Sequence, residues 1–148
     1  MRIYLDLCCF NRPYDDQAQA RIHLETEAKV LIQQKIKDDE CKLVWSSTLD
    51  FECYNNPFEE RRHAIMQWRD LAVSIVMAND EVTLKAQQFV EQGIGVYDAF
   101  HVASAIMGMA ELFVTTDDRL LKRLRKIDNL LVMLPGEALA FMEKWYED

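Results

Sequence analysis

Glycine and proline are scarce in this chain of 148 residues, with four of the first and three of the second. So few turn formers favour long helices joined by short loops, and they exclude a Gly/Pro-rich linker or low-complexity tract. Long apolar runs are missing too. The longest near-continuous one, Leu71 to Ala78, falls far short of the ~18 residues that a membrane-spanning helix needs. The start of the chain carries Arg2 and then Asp6 with no cleavage-site pattern, so no signal peptide is read and cytoplasmic residence is expected. Cysteine is sparse. Cys8, Cys9, Cys41 and Cys53 have neither C-x-x-C spacing nor a matching His pair, which speaks against zinc and for reduced, mostly buried thiols. Positive charge is in deficit. Seventeen Lys and Arg against 25 Asp and Glu leave a net charge of −8. That excludes a protein whose hold on nucleic acid rests on a broad basic surface, though not an enzyme that meets nucleic acid through bound cations. The local clusters Arg119, Lys122, Arg123, Arg125, Lys126 and Arg61, Arg62 read as solvated helix faces.

What is present is an alternation of short apolar runs and helical patterns. Residues 2–7, 42–46, 112–115 and 130–134 read as strands, the first of them broken at Asn11-Arg12-Pro13. Residues 17–37 read as a long helix with Leu24, Ala28, Leu31, Ile32 and Ile36 at helical spacing. Ser47 looks like the cap of a short helix with Asp50 as its capping-box partner, ending near Asn55-Asn56-Pro57. Helices are expected over 58–78, 80–92, 97–109, 117–126 and 137–147. Alternating strands and helices predict one α/β domain over 1–148, its parallel sheet covered on both faces.

Four acids fall on one edge of such a sheet, where strands finish and helices start. Asp6 ends the first strand, Glu52 follows the second, Asp98 begins the small-residue helix, and Asp117 follows the strand at 112–115. Singly, Asp98 and Asp117 are as well explained by helix N-termini, which favour acids. Asp6 has no such explanation in this reading, since no helix is expected directly after it. Two carboxylates ~4 Å apart repel by about 4 kcal/mol at an effective dielectric near 20, a large part of a domain's ~5–15 kcal/mol stability. A divalent cation relieves that repulsion, and hard oxygen donors select Mg²⁺ or Mn²⁺ over Zn²⁺.

The blocks Ile3-Tyr4-Leu5-Asp6, Ser47-Thr48-Leu49-Asp50-Phe51-Glu52, Asp98-Ala99-Phe100-His101-Val102-Ala103-Ser104-Ala105 and Phe113-Val114-Thr115-Thr116-Asp117 resemble, in order and spacing, those of PIN domains. That family includes many prokaryotic VapC-type toxin ribonucleases. The resemblance implies an α/β, PIN-like three-layer sandwich whose central, mostly parallel sheet of 4–5 strands is flanked by helices. It makes Asp6, Glu52, Asp98 and Asp117 a catalytic quartet binding Mg²⁺ or Mn²⁺. It gives Thr115 the task of ordering the last loop, and it implies an endoribonuclease acting on RNA, paired with an antitoxin protein. It also implies a homodimer through apolar residues of the 58–92 helices. Where the family has Ser or Asn two residues after the first acid, this chain has Cys8, and Asn11 stands as a substitute polar group.

Arg12 is open to two readings, a contact to substrate phosphate or an ion pair with Asp15 or Asp16 that anchors its loop. His101 reads as a packed or hydrogen-bonded helix residue, since a metal-ion mechanism needs no histidine base. Trp45, Trp68 and Trp145 read as core or interface rather than stacking platforms. Two other classes compete. One is a non-cleaving protein of the same fold that binds RNA or a protein partner. The other is an aspartyl phosphatase or receiver, weakened because Asp6 is followed by Leu7 and Cys8 rather than by a second Asp.

Overall fold

Five strands form a single parallel sheet in the computed structural model, which describes residues 1–127 and 129–147. They are β1 (Arg2–Leu5), β2 (Lys42–Ser46), β3 (Ser74–Val76), β4 (Leu112–Val114) and β5 (Leu131–Met133), in the order β3-β2-β1-β4-β5. Ile3 of the central strand lies level with Leu43 on one side and Leu112 on the other. Ile3, Tyr4 and Leu5 are all fully buried, as a strand covered on both faces must be.

Among the described residues there are also eight α-helices and two short 3-10 helices, Arg12–Tyr14 and Gln67–Leu71. The α-helices are α1 (Leu7–Asn11), α2 (Ala20–Lys37), α3 (Ser47–Tyr54), α4 (Glu59–Met66), α5 (Asp80–Glu91), α6 (Val96–Met107), α7 (Asp118–Leu124) and α8 (Pro135–Glu143). The small side chains of α6 let it lie against β2 and β3, and α5 packs outside it. Gly108 marks the closest approach, because a Cβ there would meet a Val44 methyl at 2.6 Å and a Val76 methyl at 2.9 Å. On the other half of the sheet α8 rests on β4 and β5, with α2 against α8. Among the described residues no helix is long and apolar enough to cross a membrane.

The fold expected from the family resemblance is corrected here. The sheet is wholly parallel rather than mostly so, and its fifth strand, β3, lies inside a segment expected to be helix. The expected 58–78 helix ends at Met66, passes through a 3-10 turn at Gln67–Leu71 and becomes β3. Val73, Ile75 and Val76 are β-branched, lose side-chain freedom in a helix and fit extended backbone; Val73 N–H donates to the Leu43 carbonyl, and Ser74, Ile75 and Val76 pair with Val44, Trp45 and Ser46. The first strand stops at Leu5, and Asp6 caps α1 by accepting from the Leu7 N–H at 2.8 Å. Cys8 and Cys9 therefore lie on a helix rather than an extended segment. The cap of α3 is Ser46, whose hydroxyl accepts from the Leu49 N–H at 3.1 Å. Ser47 accepts instead from the Ala78 N–H, and Asp50 accepts from Trp45 Nε1 and Arg69 Nε rather than closing a capping box.

Candidate active site

The chain leaves β1 toward β2 and β3, then returns to place β4 on the other side of β1. Outside the carboxyl ends of β1 and β4 this reversal opens a crevice, the place where parallel α/β sheets hold ligands. Asp6 directly follows β1, and Thr115, Thr116 and Asp117 directly follow β4. The Thr115 hydroxyl ties the two strand ends together. It donates to Asp6 Oδ2 at 2.9 Å and accepts from the Asp117 N–H at 3.1 Å. Asp117 caps α7, accepting from the Arg119 and Leu120 N–H groups. Cys8 Sγ lies 3.5 Å from both Asp6 Oδ2 and Thr115 Oγ1 and takes the Thr116 N–H at 3.3 Å, so it joins the same network.

Glu52 and Asp98 reach this rim through α3 and α6. His101, one turn after Asp98, is buried between them. Its Nε2 is hydrogen-bonded to Glu52 Oε1 and lies 3.9 Å from Asp6 Oδ1. Since a carboxylate only accepts, Nε2 carries the hydrogen. On the other side of the ring Nδ1 meets the Tyr4 hydroxyl at 2.5 Å, and that hydroxyl meets Ser46 Oγ at 2.6 Å. A buried relay thus runs from the capping hydroxyl of α3 through β1 to Glu52. Burial alone lowers the His101 pKa, but the Glu52 hydrogen bond and the charges of Asp6, Glu52 and Asp98 outweigh it, and the net shift is upward. Burial also raises the Tyr4 hydroxyl well above its ordinary range.

Asp98 and Asp117 line one cleft of about 250 Å³ together with Arg119 and Arg123. Burial, and then the negative charges of Asp6, Asp117 and Glu52, push the Asp98 carboxyl up to about 6, with His101 opposing. So the four sequence-predicted acids share one electrostatic neighbourhood. They are not drawn into a closed cage: among the described residues no three His, Cys, Asp or Glu side chains stand together as a ready metal-binding group. The donor set still suits a hard divalent cation, being anionic oxygen with lone pairs left over and, among the described residues, no Lys or Arg in direct ion pair with any of the four.

Other predicted residues fall elsewhere. Arg12 is a structural anchor, donating to Glu25 Oε1 at 2.8 and 3.0 Å and to Asp15 Oδ2 at 3.0 Å. Asn11 lines a second cavity beside Glu52. Trp45 is buried in the core against Phe10, Trp68 lies under Lys37, and Trp145 is exposed. The Glu52–His101–Tyr4 relay was missed by sequence reasoning. Its one visible signal was a histidine a turn after Asp98.

No family model and no curated protein matches the chain. Its fold is similar to that of solved toxin–antitoxin structures. A chain in the crystal structure of FitAcB from Neisseria gonorrhoeae aligns at 16% identity and TM-score 0.58, over 90% of this chain and 98% of that one. VapBC-1 from nontypeable Haemophilus influenzae aligns at 17% and 0.56, over 92% and 99%. VapBC2 from Rickettsia felis, bound to a DNA fragment from their promoter, aligns at 15% and 0.53, over 89% and 97%.

These findings correct the family reading. At 15–17% identity the likeness is one of fold alone, and it does not assign the chain to either component of such a pair. The identification as a VapC-like PIN ribonuclease is withdrawn, and with it the PIN-like name for the fold. The short sequence blocks that suggested it fall on β1 and the residue after it, on α3, on α6, and on β4 and the residues after it.

Proposed function

We propose that the protein is a divalent-metal-dependent phosphodiesterase that cuts RNA, acting within a toxin–antitoxin pair. The observation that carries this reading is the Asp6, Glu52, Asp98, Asp117 set at the sheet's switch point, its Asp98 carboxyl raised first by burial and then by neighbouring negative charge. The four carboxylates would hold Mg²⁺ or Mn²⁺. Such an ion, when bound, lowers the pKa of water and neutralises charge on a phosphodiester.

The chain's own groups have separable tasks. Thr115 and the Leu7 N–H fix the Asp6 carboxylate through both its oxygens. His101 holds Glu52 in one orientation, and Tyr4 holds His101. Arg119 and Arg123 stand beside Asp98 and Asp117, where they would meet phosphate of an RNA strand crossing the cleft. The neighbours in toxin–antitoxin structures support the biological setting. The homodimer is proposed from the exposed row Leu71, Val73, Ile75 and Met77 along edge strand β3, and a monomeric mass by light scattering would end that part.

The deciding experiment is cleavage of a mixed RNA substrate in Mg²⁺ or Mn²⁺, in EDTA, and with Asp6→Asn. Cleavage that needs the metal and falls at least ~100-fold in the variant is expected. Cleavage indifferent to both changes would overturn the reading. The open, uncaged arrangement of the acids favours one alternative, a protein that binds RNA or a partner without cutting. Tight RNA binding with no product at any Mn²⁺ concentration would select it.

A further inference from the structure

A cavity of about 340 Å³ adjoins the acidic rim and shares Glu52 with it. It sits between the α1 end of the chain's first segment and the loop from α3 to α4. That volume lies at the small end of the ~300–1,000 Å³ typical of ligand pockets, which suits one nucleoside rather than a larger group. Its walls are of three kinds. Tyr14 and Phe58 present rings that are 40% and 54% exposed. Between them lies the Arg61 guanidinium, 4.0 Å from the Phe58 centroid and 4.9 Å from that of Tyr14. Asn11 and Asn55 contribute side-chain amides that have no hydrogen-bond partner among the described residues.

Each feature points to a flat, neutral, hydrogen-bonding ligand. Large aromatic rings are costly to leave in water, and planar bases cover them by stacking. A free amide offers both a donor and an acceptor, as the edge of a base requires. Arg61 is in no ion pair among the described residues, so its charge is available to stack on a base or to meet the phosphate attached to it. Asp15 and Glu52 also line the cavity and would repel a phosphate placed inside. The floor is built rather than loose: Asn56 Oδ1 accepts from the Phe58 N–H at 2.9 Å, and Arg62 donates to the Asn56 carbonyl at 2.9 Å. A net charge of −8 leaves little general attraction for RNA, which makes a stacking site beside the rim more valuable.

We propose that this cavity takes one unpaired base of a single-stranded RNA whose backbone crosses the acidic rim, with Phe58 and Tyr14 stacking on the base and Asn11 and Asn55 reading its edge. The site thereby prefers single strands and contributes to the choice of cleavage position. This rests on the RNA-cleaving reading above and deepens it.

The test separates the two. Binding of a fluorescein-labelled single-stranded RNA is measured by anisotropy in EDTA, where metal-dependent cutting is off. Phe58→Ala and Tyr14→Ala are expected to weaken it by about 5- to 100-fold each, the range seen for lost base stacking. Phe58→Trp should restore it, and a duplex of the same sequence should bind weakly and without dependence on Phe58. In Mn²⁺, the distribution of cut positions on a degenerate RNA should broaden in Phe58→Ala. If the alanine variants, shown folded by circular dichroism, bind and cut as the wild type does, the base pocket is wrong while the nuclease reading survives. If binding falls as expected but the wild type never cuts, the pocket stands and the nuclease reading is lost. Wild-type protein that binds no single-stranded RNA would overturn the pocket.

Discussion

Two regions of this molecule gather carboxylates, and they treat them in opposite ways. On α2, Glu25 is only 6% exposed, and the chain answers its charge with arginines: Arg12 at 2.8 Å and Arg21 at 3.5 Å. At the sheet rim, Asp6, Glu52 and Asp117 receive a threonine, backbone N–H groups, a thiol and one histidine, and among the described residues no Lys or Arg forms an ion pair with them or with Asp98. In the first, Glu25 Oε2 is buried without a hydrogen-bond partner among the described residues, so what separates the two regions is charge. Only the first satisfies charge. An acid kept for structure is given a cation from within, whereas acids that await a ligand keep their charge unanswered, at a cost to the ligand-free fold.

The sharpest break in that comparison is Arg12→Ala. It removes both guanidinium bonds to Glu25 and leaves a buried carboxylate with only the longer Arg21 contact. Breaking one side of a buried pair this way costs about 3 kcal/mol, read as a lowered urea midpoint at unchanged m-value. A stability change within about 0.5 kcal/mol, the usual range for surface substitutions, would mean that Glu25 is wet enough to need no partner.

Adding the missing cation should do at the rim what Arg12 does on α2. Chelated protein titrated with Mn²⁺ is expected to gain about 2.7 kcal/mol of unfolding free energy at a hundredfold excess over its dissociation constant. The gain should vanish in Asp6→Asn and persist in Arg12→Ala. A melting temperature unmoved by Mn²⁺ up to millimolar concentration would remove the contrast between the regions.

How much of this was legible in the residues follows the same division. The apolar runs before Asp6 and Asp117 announce β1 and β4, because β-branched and aromatic residues in short bursts do little else well. Strand β3 was hidden, because Leu71–Ala78 continues an apolar pattern that helices and buried strands share, and only pairing with β2 decides between them. The acids were visible as residues at element boundaries. Asp6 was misread as having no capping role, since a five-residue helix directly after a strand has too short a pattern to detect. Partners brought by topology stayed out of reach. Arg12 was open to a substrate phosphate or to an ion pair with Asp15 or Asp16; it meets Asp15 and also Glu25, thirteen positions on. The facing of Glu52, His101 and Tyr4 depends on three separate segments and the cavity of Tyr14, Phe58 and Asn55 on two, and no local pattern encodes either.

Lys29 supplies the mirror image of the rim, a buried cation without an acid in contact. It lies one turn after Glu25, is 7% exposed, and has no ion pair among the described residues; its ammonium lies over the Phe10 ring, 6.0 Å from the centroid. Burial lowers its pKa from 10.5 to about 8. The unfolded chain therefore holds more protons than the folded one between those values, and stability rises as pH climbs from about 8 toward 10.5. Lys29→Met should stabilise the protein at pH 7 by roughly 2 kcal/mol, with the advantage gone above pH 10.5. Equal melting temperatures for variant and wild type at pH 7 would show that water reaches the ammonium group.

The smallest effect bears most directly on the rim. Asp98 is held at about 6, above the ordinary 3.8, first by burial and then by its acidic neighbours. Between those two pH values the folded protein keeps protons that the unfolded chain has released, so the carboxylate takes stability away as pH rises from about 4 to 6. Asp98→Asn has no charge to repel. In EDTA at pH 7 it should be more stable than the wild type by about 1 kcal/mol, a figure kept low because water screens a half-exposed group, and the difference should shrink toward pH 4. With Mn²⁺ present the order should reverse, since the wild type then gains a ligand that the variant holds poorly. Were Asp98→Asn instead to destabilise the chelated protein, as Arg12→Ala is expected to do, the rim acids would be internally compensated like Glu25 and would have no need of a cation.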